Sequence, residues 1–558
     1  VPLLPLGFDA AKEADMRLLR RHRSTMAVTV VALVAAGCAS TSTENTGSSG
    51  SPSPNTATAE PSETVGALSP PQVAGVAIPD GQIDDAVAQV GDLARGLMDS
   101  SGIPGMAVAV VHGGETVFAE GFGVRREGSD EPIDPQTVFQ LASMSKPIGS
   151  TVVAHQVDEG VVSWDTPVVE HLPSFTLADP YVGSHVTVGD LYSHRSGLPE
   201  HAGDDLEDIG YDRAEVIERL RYLPLGPYRI TYDYTNFGLT AAAESVAVAS
   251  GEDWADLSEQ VLYEPLGMTS TSSRFADFAA QENRAPGHIL VDGEYVARDV
   301  RMPDEQSPAG GISSSVEDVA KWLTMLLADG EYEGGRIASS AALQAAFTPQ
   351  STSSPPETPD SRAGSYGYGF NVGTSPAGRV TLSHSGAFAS GAATAFTAIP
   401  SADVAIVVLT NAAPIGVPET LAAEFADLVQ FGEVREDWSD LYTGAFSSFA
   451  DPVGSLVGQS PPADPEPPKP LADYTGVYDN EYFGPARIEE DDGELALVIG
   501  PDDRTYPLTH WDGDVFTFPL SNENAPDGTI SKAVFTPDDV TFEYWDTNGL
   551  GTFRKGDA

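Results

Sequence analysis

Cysteine and positive charge are scarce in this sequence. A single cysteine, Cys38, among 558 residues excludes an internal disulfide framework and any multi-cysteine metal site. Only 29 lysines and arginines stand against 82 aspartates and glutamates, a formal charge of −53. A chain so poor in basic residues offers no face for the phosphates of DNA or RNA, which argues against a nucleic-acid partner. The acidity keeps the protein soluble by self-repulsion and fits a salty medium, in which screening relieves that repulsion. Apolar residues, by contrast, make up 41% of the chain and charged ones 20%, enough to bury a core and to exclude a wholly disordered polypeptide. The length calls for about two or three structural units.

The amino-terminal region reads as an export signal. A basic run from Met16 to Arg23 precedes an apolar run from Met26 to Gly37. These twelve residues are too few to span a bilayer, which takes about 20, and they suit a signal-peptide core. The run ends in Ala35-Ala36-Gly37-Cys38, which resembles a bacterial lipoprotein lipobox, with Ala35 where a larger aliphatic residue is usual. The resemblance implies that Cys38 is lipidated and tethers the protein, extracytoplasmic, to the outer face of a bacterial cell membrane. The plainer alternative is a secretory signal with an incidental cysteine. Residues 1–15 then read as a start-site extension, and 16–38 as the signal peptide.

Residues 39–78 are rich in Ser, Thr, Pro and Gly and read as a disordered linker. A domain spanning 79–435 follows. Ile83, Val87, Val90, Leu93 and Leu97 recur at helical spacing. Residues 106–111 and 116–122 read as strands joined at His112-Gly113-Gly114. Helices are expected over 143–159, 237–250, 315–327 and 418–431, and strands over 380–383, 392–399 and 404–410. Strands at both ends with helices between predict an α+β domain whose terminal segments share one antiparallel sheet flanked by helices. Residues 436–470 form a connecting segment ending in a stiff Pro-rich linker. Residues 471–558 show six or more short alternating strands, broken by turns such as Asp491-Asp492-Gly493, and predict a small all-β barrel or sandwich.

Three short elements carry chemistry. Among six lysines, only Lys146 has a serine three positions before it, in Ser143-Met144-Ser145-Lys146. At that spacing near a helix start, hydroxyl and amine share one face, and free N–H groups can support a developing oxyanion. Serine needs a base, and lysine serves if burial lowers its pKa. Alone, the pair reads equally as a helix cap beside a surface lysine. Tyr234-Thr235-Asn236 offers a phenol that can carry a proton and an amide that can hold lysine and substrate. His384-Ser385-Gly386 lies on a strand pattern, where the glycine would let a substrate backbone approach closely.

In this order the three elements resemble the serine β-lactamase and penicillin-binding-protein family. The nearest branch is that of class C β-lactamases, D-alanyl-D-alanine carboxypeptidases, D-aminopeptidases and esterases. Flanking segments match too: Gly102-Ile103-Pro104-Gly105, the run from Leu191 to Pro199, that from Glu264 to Met268, and Pro308-Ala309-Gly310-Gly311. The resemblance implies a β-lactamase/transpeptidase-like domain with Ser143 as the acylated nucleophile. Lys146 would take its proton, directly or through Tyr234, and Tyr234 would protonate the leaving group and help activate water. Asn236 would position Lys146 and the substrate amide. The backbone N–H groups of Ser143 and Ala387 would form the oxyanion hole, with Gly386 beside it. His384 would line the cleft and bind a carboxylate or share protons. No metal or cofactor is implied.

Class C β-lactamases usually have lysine where this chain has His384, and histidine resembles the peptidase and esterase branches. The expected activity is therefore cleavage of amide or ester bonds in a small-molecule or peptide substrate, including cell-wall-derived ones. A β-lactamase, a penicillin sensor that never deacylates, and a scaffold with a vestigial site are the alternatives. Tyr474-Thr475-Gly476-Val477-Tyr478 resembles the start of the lipocalin-like domain found in some members. That domain would either wall the cleft or serve as a stabilising appendage. His510 and Trp511 are candidates for a barrel mouth, with buried packing the favoured place for the tryptophan.

Overall fold

The computed structural model describes residues 76–298 and 301–556. The expected extension 1–15, the signal 16–38 with Cys38, and the linker from 39 to 75 lie outside the described residues.

Strands β1 (Gly105–His112) and β2 (Glu115–Gly123) form the first hairpin. Its turn uses Gly113 and Gly114 at φ 64° and 78°, the left-handed values that let a two-residue turn follow the twist of its strands. The sheet continues with β3 (Ser351–Ser354), β4 (Gly364–Tyr366), β5 (Asn371–Thr374), β6 (Val380–Phe388), β7 (Ala392–Ile399) and β8 (Val404–Thr410). The eight strands lie in the order β2-β1-β8-β7-β6-β5-β4-β3, all antiparallel. Pairing of β1 with β8 joins the two ends of the domain in one sheet, as the α+β reading expects.

The longer helices are α1 (Val90–Ser101), α2 (Ser145–Asp158), α3 (Asn236–Ser250), α4 (Val316–Leu327) and α5 (Val417–Phe431). Met106, Val108 and Val110 of β1 pack with α1 and α5, while Ala107, Ala109 and Val111 face α4 on the other side. Cover on both faces explains why β8 is an unbroken apolar run rather than an alternating one. Helix α2 is buried nearly all round. Its small residues admit neighbours closely: a Cβ on Gly149 would stand 3.1 Å from Trp254, and Ser150 Oγ donates to Tyr368 O at 2.6 Å. The expected helix from residue 143 begins instead at Ser145, after a 3-10 turn over Ala142–Met144.

The carboxy-terminal domain is a closed eight-stranded meander. Its strands are β9 (Gly476–Asp479), β10 (Ala486–Asp491), β11 (Glu494–Ile499), β12 (Arg504–Asp512), β13 (Val515–Leu520), β14 (Thr529–Phe535), β15 (Asp539–Phe542) and β16 (Thr552–Lys555), with β16 pairing back onto β9. Buried aromatic rings fill it, among them Phe483, Phe518, Phe542, Trp545 and Phe553. Trp511 is only half-buried, at an irregularity in the β12–β13 pairing, so the expectation of core packing for it gives way. The Pro-rich stretch is not a free spacer. Gly513 N–H donates to Glu466 O at 2.8 Å, and Lys469 N–H donates to Tyr474 Oη at 2.8 Å, which lays the stretch along the barrel wall.

Both domains belong to one compact unit. The barrel docks on residues 203–219 and on the β6–β7 turn. Tyr211 Oη donates to Phe483 O at 2.9 Å, and Arg219 donates to Tyr482 O at 2.9 Å. Asn524 Nδ2 donates to Asp208 Oδ2 at 2.8 Å, and the Glu523 carboxylate accepts from Ala389 N–H at 2.5 Å.

Candidate active site

Ser143 sits in the 3-10 turn that feeds α2, half-buried between fully buried Ala142 and Met144. Ala142 has φ 47°, a left-handed conformation that costs an L-residue about 1–2 kcal/mol. The strain is held by what surrounds the turn. Thr394 Oγ1 donates to Leu141 O at 2.8 Å, and Leu141 N–H donates to Ile312 O at 2.8 Å. The Ser143 hydroxyl, the candidate nucleophile, therefore stands on a sharply bent, anchored backbone.

Lys146 lies one turn on and is fully buried. Its Nζ is 3.0 Å from Ser143 Oγ, 2.8 Å from Asn236 Oδ1 and 2.9 Å from Ala309 O. Burial lowers its pKa to about 7, against a smaller upward pull from Asp204. A neutral lysine has two N–H donors and one lone pair. Asn236 Oδ1 and Ala309 O can only accept, so they take the two donors, and the lone pair is left for the Ser143 proton.

Tyr234 covers this amine, its ring centroid 4.5 Å from Lys146 Nζ, and its hydroxyl interacts with Ser143. Burial pushes the phenol above its ordinary pKa despite that hydrogen bond, so Tyr234 holds its proton and Lys146, lowered to about 7, is the group free to accept one near neutral pH. Asn236 opens α3, directly after the cap residue Thr235. The approach to Tyr234 is fixed by the buried Asp190. This carboxylate accepts from Arg195 Nε at 2.8 Å, Arg229 Nη2 at 2.8 Å and Tyr228 Oη at 2.8 Å. Burial alone would raise the Asp190 pKa, but the bonds from Arg229, Arg195, Tyr228 and Thr187 outweigh it and lower it.

Gly386 and Ala387 lie on β6, next to the Ser143 turn. A Cβ on Gly386 would overlap Leu141 O and Thr394 Oγ1 and stand 3.0 Å from Ser143 N. The space its hydrogen leaves is thus filled by the protein's own backbone, not by substrate as the sequence reading expects. The same packing sets Ser143 N beside Gly386, whose neighbour Ala387 is the other expected oxyanion donor. β5 ends its pairing at Asn371–Ser383, so among the described residues His384 to Phe388 have no strand partner on that side.

His384 does not offer a charge to the cleft. It is 5% exposed. Its Nδ1 is 2.6 Å from Ser385 O, and its Nε2 is 2.8 Å from Tyr366 Oη. The carbonyl fixes the proton on Nδ1, and Nε2 then accepts from the tyrosine. Burial, together with nearby Lys146, lowers its pKa to about 3. A carboxylate-binding cation at this position, one of the roles expected from the sequence, does not fit a histidine so held.

Three neighbours were not singled out in the sequence. His194, buried against the Tyr234 ring at 4.5 Å, accepts from Thr235 N–H through Nδ1 at 3.2 Å. His201 N–H donates to Tyr234 O at 2.8 Å. Asp204 Oδ2 accepts from Asn236 Nδ2 at 2.9 Å and stands 3.0 Å from His201 Nδ1. His194 lies inside the recognised run from Leu191 to Pro199, but Asp204 carries no mark among so many acidic residues.

The arrangement supports acyl transfer. As Ser143 Oγ attacks a carbonyl carbon, its proton passes to Lys146 Nζ and the carbonyl electron pair moves onto oxygen, facing backbone N–H donors. Collapse expels the leaving group, which takes a proton from the Lys146–Tyr234 pair. Water attacks the ester by the same route reversed. Among the described residues no cluster of histidine, cysteine and carboxylate side chains is arranged to hold a metal ion.

A buried lysine poised on a serine, at the edge of an antiparallel sheet, defines a serine hydrolase. The chain belongs to the β-lactamase family, which it matches over residues 90–431, and residues 460–552 match a domain family of unknown function, DUF3471. It is 27% identical over 461 residues to the unguisins hydrolase ungD of Aspergillus violaceofuscus, covering 74% of this chain and 80% of that protein. Penicillin-binding protein 4 of Amycolatopsis lactamdurans is 28% identical, over 69% of this chain and 95% of its own. AmpH of Escherichia coli K12, a D-alanyl-D-alanine carboxypeptidase/endopeptidase, is 26% identical over 42% of this chain and 60% of its own. The octameric penicillin-binding protein homologue of Pyrococcus abyssi shares the fold, with TM-score 0.56 and 22% identity over 82% of this chain and 98% of its own.

Proposed function

We propose that this serine hydrolase is a D-amino-acid peptidase, carboxypeptidase or carboxylesterase rather than a β-lactamase, and that it works through an acyl-enzyme on Ser143. The observation that carries the choice is His384. Held neutral between Tyr366 and Ser385 O, it supplies no fixed charge for a β-lactam carboxylate. Hydrolase and carboxypeptidase names among the relatives support amide cleavage. A lipid anchor on Cys38 would hold the enzyme at the outer face of a bacterial membrane, facing peptide or cell-wall-derived substrates. Palmitate labelling of the wild type but not of Cys38→Ser tests that placement.

The test of the activity is intact-protein mass after exposure to p-nitrophenyl acetate, a D-alanyl anilide and benzylpenicillin in turn, with Ser143→Ala alongside. The expected result is a short-lived adduct with ester and anilide, absent from the variant, and slow or no turnover of penicillin. Rapid penicillin turnover with no ester or anilide cleavage would make it a β-lactamase. A penicillin adduct that never decays, with nothing else turned over, would make it a sensor.

A further inference from the structure

Behind the catalytic amide lies a carboxylate that the acylation steps do not use. Asp204 is 3% exposed and opens the short helix Asp204–Asp208. The residue before it, Gly203, has φ 94°, and a Cβ there would stand 3.0 Å from the Phe237 ring, next door to Asn236. Gly203 N–H donates to Tyr482 Oη of the barrel at 3.2 Å. The helix is thus set against the first turn of α3 on one side and the barrel on the other.

We propose that Asp204 is a positioning residue for the Lys146 base: its carboxylate locks the Asn236 amide with Oδ1 toward Lys146 Nζ, and it places a negative charge behind that amine. The inference rests on reading Ser143 and Lys146 as the acylating pair. An asparagine amide is nearly symmetric in shape, so sterics alone do not decide which end faces the lysine. An ionised carboxylate only accepts hydrogen bonds. With Asp204 Oδ2 at 2.9 Å, the end of Asn236 that faces it must be Nδ2, and Oδ1 is left for Lys146 at 2.8 Å. Turning the amide round would set oxygen against carboxylate and N–H against amine. His201 Nδ1, at 3.0 Å, donates to the same Oδ2 and fixes where it sits.

The charge acts as well as the shape. Lys146 is faced by Asp204, His194, His384 and Tyr234. Asp204 is in turn faced by Asp205, Glu207 and Asp208 of its own helix, by His201, and by the Arg301 guanidinium. Tyr482 and Tyr544 of the barrel also face it. Burial pulls the Lys146 pKa down and Asp204 opposes it. Neutralising Asp204 therefore lets the amine lose its proton at lower pH.

The experiment is the pH dependence of Ser143 acylation by p-nitrophenyl acetate, read by intact mass, in wild type, Asp204→Asn and Asp204→Glu. We expect Asp204→Asn to move the acid limb down by about one pH unit and to lower the high-pH plateau about tenfold. Asp204→Glu, which retains the charge, should keep the wild-type limb with a reduced plateau. A merely structural role would lower the plateau and leave every limb in place, and that result overturns the proposal. A limb that moves in Asp204→Glu as far as in Asp204→Asn also overturns it. If neither variant folds, an atomic-resolution structure of the wild type decides: Nδ2 of Asn236 facing Asp204 supports the proposal, and the reverse orientation ends it. Absence of any Ser143 adduct in the folded wild type would remove the underlying reading, whereas a normal adduct with an unshifted limb in Asp204→Asn would remove only this inference.

Discussion

Lys146 Nζ lies 3.0 Å from Ser143 Oγ with its other two contacts, Asn236 Oδ1 and Ala309 O, both acceptors. That single relationship sets the direction of proton flow. A lysine whose remaining neighbours only accept has one place left for its lone pair. Tyr234, kept protonated by burial and in contact with Ser143, is placed to relay a proton outward to the leaving atom.

Tyr234→Phe should therefore separate two kinds of substrate. An activated ester has a leaving group that departs without a proton, while an anilide needs one. Hydrolysis of the anilide should fall by about 10²–10⁴-fold, and acylation by the ester by much less. Equal losses with both, measured by single-turnover kinetics, would mean that Tyr234 acts in serine activation instead.

Gly386→Ala should damage the site without unfolding the sheet. The added methyl meets Leu141 O and Thr394 Oγ1, so the Ser143 turn must shift. A loss of about 1–3 kcal/mol is expected, with an acylation rate reduced far more than the melting temperature implies. A variant with wild-type acylation would show that the turn does not depend on this packing.

His384→Lys, which restores the residue usual in class C β-lactamases, should not create an efficient β-lactamase. The new amine would be buried beside Tyr366 and near Lys146, where a second positive charge is disfavoured. The expected outcome is a lower melting temperature and no gain in nitrocefin hydrolysis. A tenfold gain would contradict the account of this position.

Asp190→Ala should cost about 1–3 kcal/mol by taking away the buried acceptor shared by Arg195, Arg229 and Tyr228. The Asp190 pKa is lower folded than unfolded. Its stabilisation is thus present above the ordinary carboxyl value of about 3.9 and fades as pH falls through the folded value. Denaturant titrations should show the wild-type advantage at neutral pH and its loss in acid. An advantage that grows in acid would reverse the sign.

How much of this was legible before the structure depends on the element. Residues 392–399 and 404–410 take the strand limits expected, because apolar runs bounded by turn residues leave little choice. The Ser143–Lys146 spacing and the later Tyr234 and Asn236 pointed to a single site. β12 is hard to read in the sequence because Pro507 interrupts it at an exposed position and its outward residues are polar, and β16 because it is short and half charged. Gly386 was recognised as a close approach, but which backbone approaches is a tertiary fact. Asp204 and His201 were invisible for a related reason: their meaning comes from Asn236 and Tyr234, more than thirty residues on. The barrel's place beside the β6–β7 turn, through Glu523, likewise follows from no local pattern.

The central claim is that Lys146, neutral near pH 7, is the base for Ser143. The most direct test is the rate of Ser143 acylation by p-nitrophenyl acetate between about pH 5 and pH 10 in wild type and Lys146→Ala. The account predicts one acid limb near the Lys146 value of about 7, a plateau above it, and a variant slowed by orders of magnitude with no limb there. A wild-type rate that climbs without a plateau toward the ordinary lysine range, or a Lys146→Ala variant that keeps the limb near pH 7, would contradict it.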